Sequence, residues 1–186
     1  MRVVVDLPPW AAAAEHVGEV YSDHEARMRL AIDLARQNVD HGTGGPFGAA
    51  IFESANGRLV AIGVNSVVRL GQSSLHAEMV AYMRAQARAG SYSLAAEGLP
   101  AHALYTSCAP CAMCLGAALW SGIEHLVYAA SRDDATRLRF DEGPVFPESY
   151  AYLEKRGIRV TRELLRAEAS EVLRLYCAQG GVIYNR

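Results

Sequence analysis

The sequence predicts a three-layer α/β/α domain, in which a mixed five-stranded sheet carries helices on both faces. A strand hairpin is followed by alternating helical and strand segments, and this order favours a mixed sheet that is covered on both sides. The 186 residues, 51% of them hydrophobic and 20% charged, are typical of a globular protein with one core. Since no internal repeat divides the chain, residues 1–186 are predicted to form a single domain.

The first 21 residues are predicted to form an irregular leader. Pro8 and Pro9 oppose helix formation there, because proline has no backbone N–H to donate. Trp10 is expected to anchor this segment on the body of the domain.

A long helix and a strand hairpin follow the leader. Ser22, with Glu25 three residues later, fits a capping box at the start of the helix. Apolar residues then recur at helical spacing as far as residue 41, and a glycine-rich loop follows at residues 42–48. Asn56-Gly57 is typical of a tight hairpin turn. The strands that this turn joins are predicted at residues 49–52 and 59–64.

The second half of the chain alternates helices with short strands. Pro110 takes the first position of one helix, where the missing N–H has no partner to lose. Prolines mark residues 131–150 as loop-rich, and Gly180-Gly181 opens a tail over residues 180–186. The helices are predicted at residues 77–89, 110–120, 152–155 and 167–177, and the strands at residues 103–106, 126–130 and 158–161.

A split metal motif is the strongest functional signal in the chain. His76, Cys111 and Cys114 offer three nitrogen and sulfur ligands, which leave the fourth position of a tetrahedral zinc open for water. Both cysteines lie at a predicted helix start, where the helix dipole favours thiolate over thiol. Glu78 lies two residues after the histidine and is available to move protons. The chain is therefore predicted to bind one catalytic Zn²⁺.

Other interpretations of this motif are weaker. A CxxC pair alone also occurs in redox proteins and in structural zinc sites. A four-cysteine site needs a second close pair of cysteines, and Cys108 and Cys177 do not form one. A redox pair has no use for His76 and Glu78. The order and spacing of the motif together favour a catalytic metal centre.

Five segments together carry a family resemblance: residues 44–50 (GGPFGAA), 76–78 (HAE), 106–114 (TSCAPCAMC), 140–144 (FDEGP) and 181–185 (GVIYN). With them the chain resembles the zinc-dependent superfamily of cytidine and deoxycytidylate deaminases, in which the H-x-E…P-C-x-x-C order is typical. The two later segments are similar to those of bacterial guanine deaminases, some of which also accept the triazine ammeline. One departure is Ala109, where the family usually has glutamate before the proline.

The resemblance implies hydrolytic removal of the 2-amino group of guanine, which gives xanthine and ammonia. It implies that Glu78 and Glu142 are the catalytic residues and that both move protons. It also implies that Asn65 forms a hydrogen bond with the edge of the base. Phe47 and Phe140 are expected to hold the purine between their rings.

The resemblance also predicts how the pocket is completed. Ala77 is placed among the substrate-binding residues, and Tyr184 of the tail is expected to close the pocket. A homodimer is expected, in which the tail covers either its own or the partner's active site. Gly180 and Gly181 would let the tail turn away from the last helix, because glycine tolerates unusual backbone angles.

Composition and charge limit the remaining possibilities. A net charge of −2 does not indicate a basic surface for nucleic acid, so a tRNA adenosine deaminase is disfavoured. No apolar run approaches the roughly 18 residues that span a membrane, and the N-terminus is a poor signal peptide, so a cytoplasmic protein is expected. A deaminase of guanosine or cytidine and a zinc-stabilised binding module remain as alternatives. The sequence leaves open whether guanine, ammeline or another aminated heterocycle is the substrate.

Overall fold

The described part of the chain, residues 4–185 of a computed structural model, alternates helices and strands as the sequence predicts. In chain order the elements are α1 Pro9–Ala14, α2 His24–Asp40, β1 Gly48–Glu53, β2 Leu59–Val64, α3 Val67–Leu70, α4 Ala77–Ala89, β3 His102–Cys108, α5 Ala112–Ser121, β4 His125–Ala130, α6 Arg132–Thr136, α7 Pro147–Lys155, β5 Arg159–Thr161 and α8 Arg166–Ala178. The predicted domain and tail also include residues 1–3 and Arg186, which lie outside the described residues.

The five strands form one mixed sheet in the order β2-β1-β3-β4-β5. β1 pairs antiparallel with both β2 and β3, whereas β3, β4 and β5 are parallel neighbours. The parallel strands β3 and β4 both end beside the start of a following helix. The carboxyl ends of parallel strands are the common place for ligands in such sheets.

Two helical layers cover the sheet, and the alternation along β1 shows how. Ala50 and Phe52 belong to the apolar cluster that contains the buried residues of α2 and α8. Ala49 and Ile51 belong to the cluster that contains the buried residues of α4, α5 and α7. Successive side chains of a strand point to opposite faces, so both faces of β1 are buried. The predicted three-layer α/β/α fold is confirmed.

Helix α4 lies unusually close to β2, and Gly63 makes this possible. A Cβ atom at Gly63 would lie 2.1 Å from the carbonyl oxygen of Ala77 and 2.5 Å from the backbone nitrogen of Ala81. Any side chain there would push the helix away from the sheet. This contact determines where the first turn of α4, with His76 before it, lies relative to the strand ends.

The leader is more ordered than predicted. Pro9 begins helix α1 at the first helical position, where proline has no intrahelical N–H bond to lose. The prediction that the whole leader is irregular was therefore wrong. The anchor was predicted correctly: Trp10 Nε1 donates to Thr43 Oγ1 at 3.0 Å, and its ring stacks on His41 with centroids 5.2 Å apart.

The leader also covers the edge of the sheet. The buried carboxylate of Glu15 accepts from the backbone N–H of Ile62 at 3.0 Å and pairs with Arg88 at 2.6 Å. Gly18 donates to the carbonyl of Leu59 at 2.8 Å. Since β2 is an edge strand, these contacts satisfy backbone groups that would otherwise be open to another strand.

Several element boundaries differ from the predictions. Helix α5 begins at Ala112 after its cap Cys111, so the placement of Pro110 at the first helical position was wrong. The cap of α2 is Asp23, whose carboxylate accepts from the backbone N–H of Ala26 at 2.7 Å, so the capping box at Ser22 was wrong by one residue. The region predicted as loop-rich contains α6, whose cap Ser131 forms a capping box with Asp134, and α7 starts earlier than expected. Among residues 4–185 no helix has the length and apolar character needed to cross a bilayer.

Candidate active site

The three predicted metal ligands converge from the starts of two helices. His76 immediately precedes α4, Cys111 immediately precedes α5, and Cys114 is the third residue of α5. Their ligand atoms all lie within 4.8 Å of one another. The Cys111 Sγ and His76 Nδ1 atoms are 3.5 Å apart. Bond lengths and angles of a tetrahedral zinc place neighbouring nitrogen and sulfur ligands about 3.6 Å apart, so this donor set fits Zn²⁺.

The surroundings of Cys111 favour the form that binds metals. A hydrogen bond from Cys114 and another from His76 lower the pKa of the Cys111 thiol to about 4, against the opposing effect of burial. The adjacent N-terminus of α5 acts in the same direction, since free backbone N–H groups stabilise negative charge. A thiolate is the ligand form of cysteine.

Glu78 faces the same cavity from the first turn of α4. Its side chain is buried, and burial followed by the nearby Cys111 raises the pKa of the carboxyl group above its ordinary value. A buried carboxyl group with a raised pKa holds a proton more readily than an exposed one, which suits a group that accepts and returns protons. The position two residues from His76 therefore holds a buried titratable group, as the motif predicts.

Glu142 reaches the cavity from a loop that is distant in sequence. Burial raises the pKa of its carboxyl group to about 8, with further contributions from Cys111 and Glu78. The loop is held on both sides of this residue. The Glu142 carbonyl accepts from the N–H of Ala112 at 2.9 Å, and Arg132 donates to the carbonyl of Gly143 at 3.1 Å. The loop thus presents a second buried carboxyl group opposite the helix that carries Glu78.

Asn65 follows β2 and has a determined amide orientation. It is fully buried, and its Oδ1 accepts from the backbone N–H of Gly45 at 3.3 Å. Since a backbone N–H can only donate, the oxygen must lie on that side, and the amide nitrogen must lie on the other. That nitrogen donates to the hydroxyl of Tyr184 at 2.7 Å. Asn65 therefore presents a hydrogen-bond donor toward the tail.

The tail crosses the site of its own chain. The ring centroid of Tyr184 lies 6.0 Å from that of His76 and 5.8 Å from that of Phe140. Beyond it, Asn185 and Asp141 form a reciprocal pair: Asp141 N–H donates to the Asn185 carbonyl at 2.9 Å, and Asn185 Nδ2 donates to the Asp141 carbonyl at 2.6 Å. These contacts join the tail to the loop that carries Glu142.

With the tail in this position the cavity has a volume of only about 10 Å³. Such a space suits roughly one water molecule, so a purine requires the tail to move outward. The cavity is lined by Phe47, His76, Glu78, Cys108, Ala109, Cys111, Glu142, Tyr184 and Asn185. The wall positions of Cys108, Ala109 and Asn185 were not predicted; the only signal for Ala109 was its departure from the family pattern.

The predicted aromatic sandwich needs a correction. Phe47 lines the cavity, but Phe140 is buried behind it, and their rings meet edge to face with centroids 5.1 Å apart. Two rings in direct contact leave no room for a base between them. Ala77 is the first residue of α4 and its side chain is buried in the core between α4 and the sheet. Any role of Ala77 toward substrate would therefore fall to its backbone.

Zinc content tests the assignment of the ligands. Replacing Cys111 and Cys114 together by alanine should reduce bound zinc from about one ion per chain to a small remainder, because a single histidine is a weak site. Elemental analysis of the purified protein measures this. Cys177→Ala, which removes a thiol on α8, serves as the control and should retain the metal. Full zinc content in the double variant would place the metal elsewhere.

Comparisons with known proteins agree with this site. A family model described as the cytidine and deoxycytidylate deaminase zinc-binding region matches residues 21–130. Zinc is thus the metal of the matching family. The guanine deaminase of Bacillus subtilis is 38% identical over 136 residues, which cover 73% of this chain and 83% of that protein.

Solved structures extend the similarity to nearly the whole chain. A guanine deaminase from Nitrosomonas europaea shares 44% identity with a TM-score of 0.91, covering 95% of this chain and 97% of the other. A mutant protein in complex with 8-azaguanine shares 44% identity with a TM-score of 0.92, covering 96% and 97%. The likeness therefore extends over nearly the whole length of the chain, beyond the residues that the family model matches.

Proposed function

The chain belongs to the cytidine and deoxycytidylate deaminase family, and we propose that it hydrolyses guanine to xanthine and ammonia. The observation that carries this proposal is the pair of buried carboxyl groups, Glu78 and Glu142, that face one cavity beside the three metal ligands. The near full-length likeness to a guanine deaminase of known structure supports the choice of substrate.

The reaction needs two proton deliveries, and the site has one carboxyl group for each. Zinc, when bound, lowers the pKa of water that it holds and stabilises negative charge on oxygen. Glu78 takes the first proton of the attacking water and passes it to ring nitrogen N3. Glu142 passes the second proton to the amino group as the C2–N bond breaks, so that ammonia leaves and C2 becomes a carbonyl. Positioned proton transfer is typically worth about 10²- to 10⁴-fold in rate.

Binding of the base falls to Asn65, Phe47 and the tail. The Asn65 amide nitrogen, which donates to Tyr184 in this structure, is free to donate to an acceptor on the purine edge once the tail moves. Phe47 supplies an apolar wall, and Phe140 supports it from behind. The backbone of Ala77, at the start of α4, completes the substrate-binding set.

The tail acts as a cover for the pocket. Tyr184 and Asn185 hold it on the site through contacts with Asn65 and Asp141 of the same chain. Closure in this form needs no exchange of tails between subunits. Closing over a bound base excludes water and keeps the reacting groups in position.

A homodimer is the proposed assembly. Four large apolar side chains of α5, of α7 and of the residue before α7 are exposed: Met113 at 37%, Trp120 at 76%, Phe146 at 59% and Tyr152 at 52%. Helices α5 and α7 border one surface groove, and exposed apolar side chains around such a groove are typical of an interface. The four cysteines form no disulfide bond, which fits the proposed cytoplasmic location.

The alternatives are less consistent with the site. The guanosine and cytidine alternatives add a ribose to the base, which would have to fit beneath the tail that Tyr184 holds on Asn65. A tRNA substrate needs an open approach and a basic surface, and the net charge is −2. Ammeline remains the closest competitor, because it carries a similar aminated amidine ring.

The proposal is tested by measuring ammonia release from a panel of aminated heterocycles and nucleosides. The zinc-loaded protein should deaminate guanine with a kcat/KM about 10³-fold above that for cytidine or adenosine, since unpaired polar groups and excess bulk are strongly rejected by such pockets. Ammeline belongs in the same panel, and its ratio to guanine determines the substrate. The cysteine double variant gives the background. Cytidine turnover equal to that of guanine would overturn the assignment.

A further inference from the structure

Asn38 is a fully buried polar residue near the end of α2, and its side chain joins the glycine-rich loop to the residue that follows β2. Its Nδ2 donates to the carbonyl of Gly45 at 2.8 Å and to the carbonyl of Asn65 at 2.9 Å. Both acceptors are backbone oxygens, so the amide nitrogen must lie on this side of the group. The two protons of one amide thus tie the glycine-rich loop to the end of β2.

The two tied residues also contact each other. The Gly45 N–H donates to Asn65 Oδ1 at 3.3 Å, which is the bond that turns the Asn65 nitrogen toward the Tyr184 hydroxyl. Asn38 therefore holds both partners of the contact that orients the base-reading amide. Packing leaves little freedom here: a Cβ atom at Gly44 would lie 2.0 Å from the Asn65 carbonyl oxygen and 2.7 Å from Asn38 Nδ2.

The amide oxygen of Asn38 is held by the hydroxyl of Thr43, which in turn is held by the indole of Trp10. Thr43 Oγ1 donates to Asn38 Oδ1 at 2.7 Å and accepts from Trp10 Nε1 at 3.0 Å. Every hydrogen-bonding atom of the Asn38 amide is therefore used. The chain of bonds runs from helix α1 through Thr43 and Asn38 to Asn65.

We infer that Asn38 is a positioning residue for Asn65, and that Thr43 with Trp10 keeps Asn38 in place, so that the N-terminal helix takes part in binding the base. This inference rests on the proposed function, since it assigns a role toward the base that Asn65 reads. It differs from a purely structural role in one respect: its effect must act through Asn65.

Two variants test the chain of bonds. Asn38→Asp has the same shape but turns an oxygen toward two carbonyl oxygens, and it should raise KM for guanine about tenfold. Thr43→Val removes only the hydroxyl at a half-buried position and should raise KM about threefold. In both variants kcat should stay within about twofold of wild type, because a contact made equally in ground and transition states affects KM alone.

Two comparisons separate positioning from general weakening. Thr43→Ser retains the hydroxyl that Thr43→Val removes, so its KM should stay close to the wild-type value. Ile32→Val removes a buried methyl group from the same helix; it should lower the melting temperature and leave KM unchanged. Thermal unfolding of each variant gives the stability against which KM is compared.

A double-mutant cycle gives the decisive result. In an Asn65→Ala background, Thr43→Val should raise KM no further, because coupled residues are not additive. An undiminished effect in that background would overturn the inference, as would an unchanged KM in Thr43→Val alone. If Asn38→Asp fails to fold, Thr43→Val and its cycle decide the question. A wild-type protein that releases no ammonia from guanine would instead refute the proposed function.

Discussion

Replacing Glu78 by glutamine should lower kcat for guanine by about 10²- to 10⁴-fold while zinc remains bound. Glutamine has the same shape and can still form hydrogen bonds, but it cannot take a proton from water and return it to the ring. Burial keeps solvent from substituting for the missing carboxylate, since the Glu78 side chain is only 6% exposed. The measurement is steady-state ammonia release together with elemental analysis of the same preparation.

Glu25 offers a matched control for this variant. It is the second residue of α2, as Glu78 is the second residue of α4, but it is exposed and pairs with Arg29 on the surface. Glu25→Gln should therefore change kcat by less than about twofold, because exposed ion pairs contribute little. If Glu78→Gln retained more than about a tenth of the wild-type kcat, proton transfer by Glu78 would be excluded as the main contribution.

Replacing Glu142 by glutamine should lower kcat for guanine by about 10²-fold or more, again without loss of zinc. The burial that raises the pKa of this carboxyl group to about 8 keeps a proton available near neutral pH for the departing amine. The amide of glutamine cannot give a proton to the departing amine and then be protonated again. The loop itself should persist, because it is held by backbone bonds to Ala112 and by Arg132.

Glu148→Gln is the control for Glu142. Glu148 lies in the first turn of α7, is exposed, and is the next carboxylate along the chain. Its replacement should leave kcat and zinc content near wild type. Single-turnover measurements would place the defect of Glu142→Gln in the chemical step rather than in product release. A Glu142→Gln enzyme with wild-type kcat would remove this residue from the mechanism.

Local sequence pattern predicted most helices and strands correctly. It failed at the cap of α2 and at helices of only a few residues. The period of two along the strands and of 3.6 along the helices is visible in any window of the chain. The start of α2 was placed at Ser22, because serine and aspartate are comparable caps and only geometry selects Asp23. Helices α1 and α6 have six and five residues, and segments this short have no apolar period to detect.

The residues of the candidate site also fall into those that local spacing predicted and those that depend on tertiary packing. His76, Glu78, Cys111 and Cys114 were predicted from spacing, because each motif lies within one helix start. The aromatic pair was wrong in its geometry, since whether two rings face a base or each other depends on packing between distant segments. Asn38 gave no signal at all: a buried asparagine near the end of a helix is unremarkable until its two acceptors are seen.

By itself the sequence determined the fold class, the metal ligands and the carboxylate beside them, because helix starts, strand periods and ligand spacing are properties of short segments. Only the tertiary structure decided that Glu142 shares a cavity with Glu78, that the tail covers its own site, and that the leader is connected to Asn65. These contacts join residues up to 119 positions apart, as in the bond from Asn65 to Tyr184. Their geometry depends on how layers pack across the sheet, and no local pattern records it.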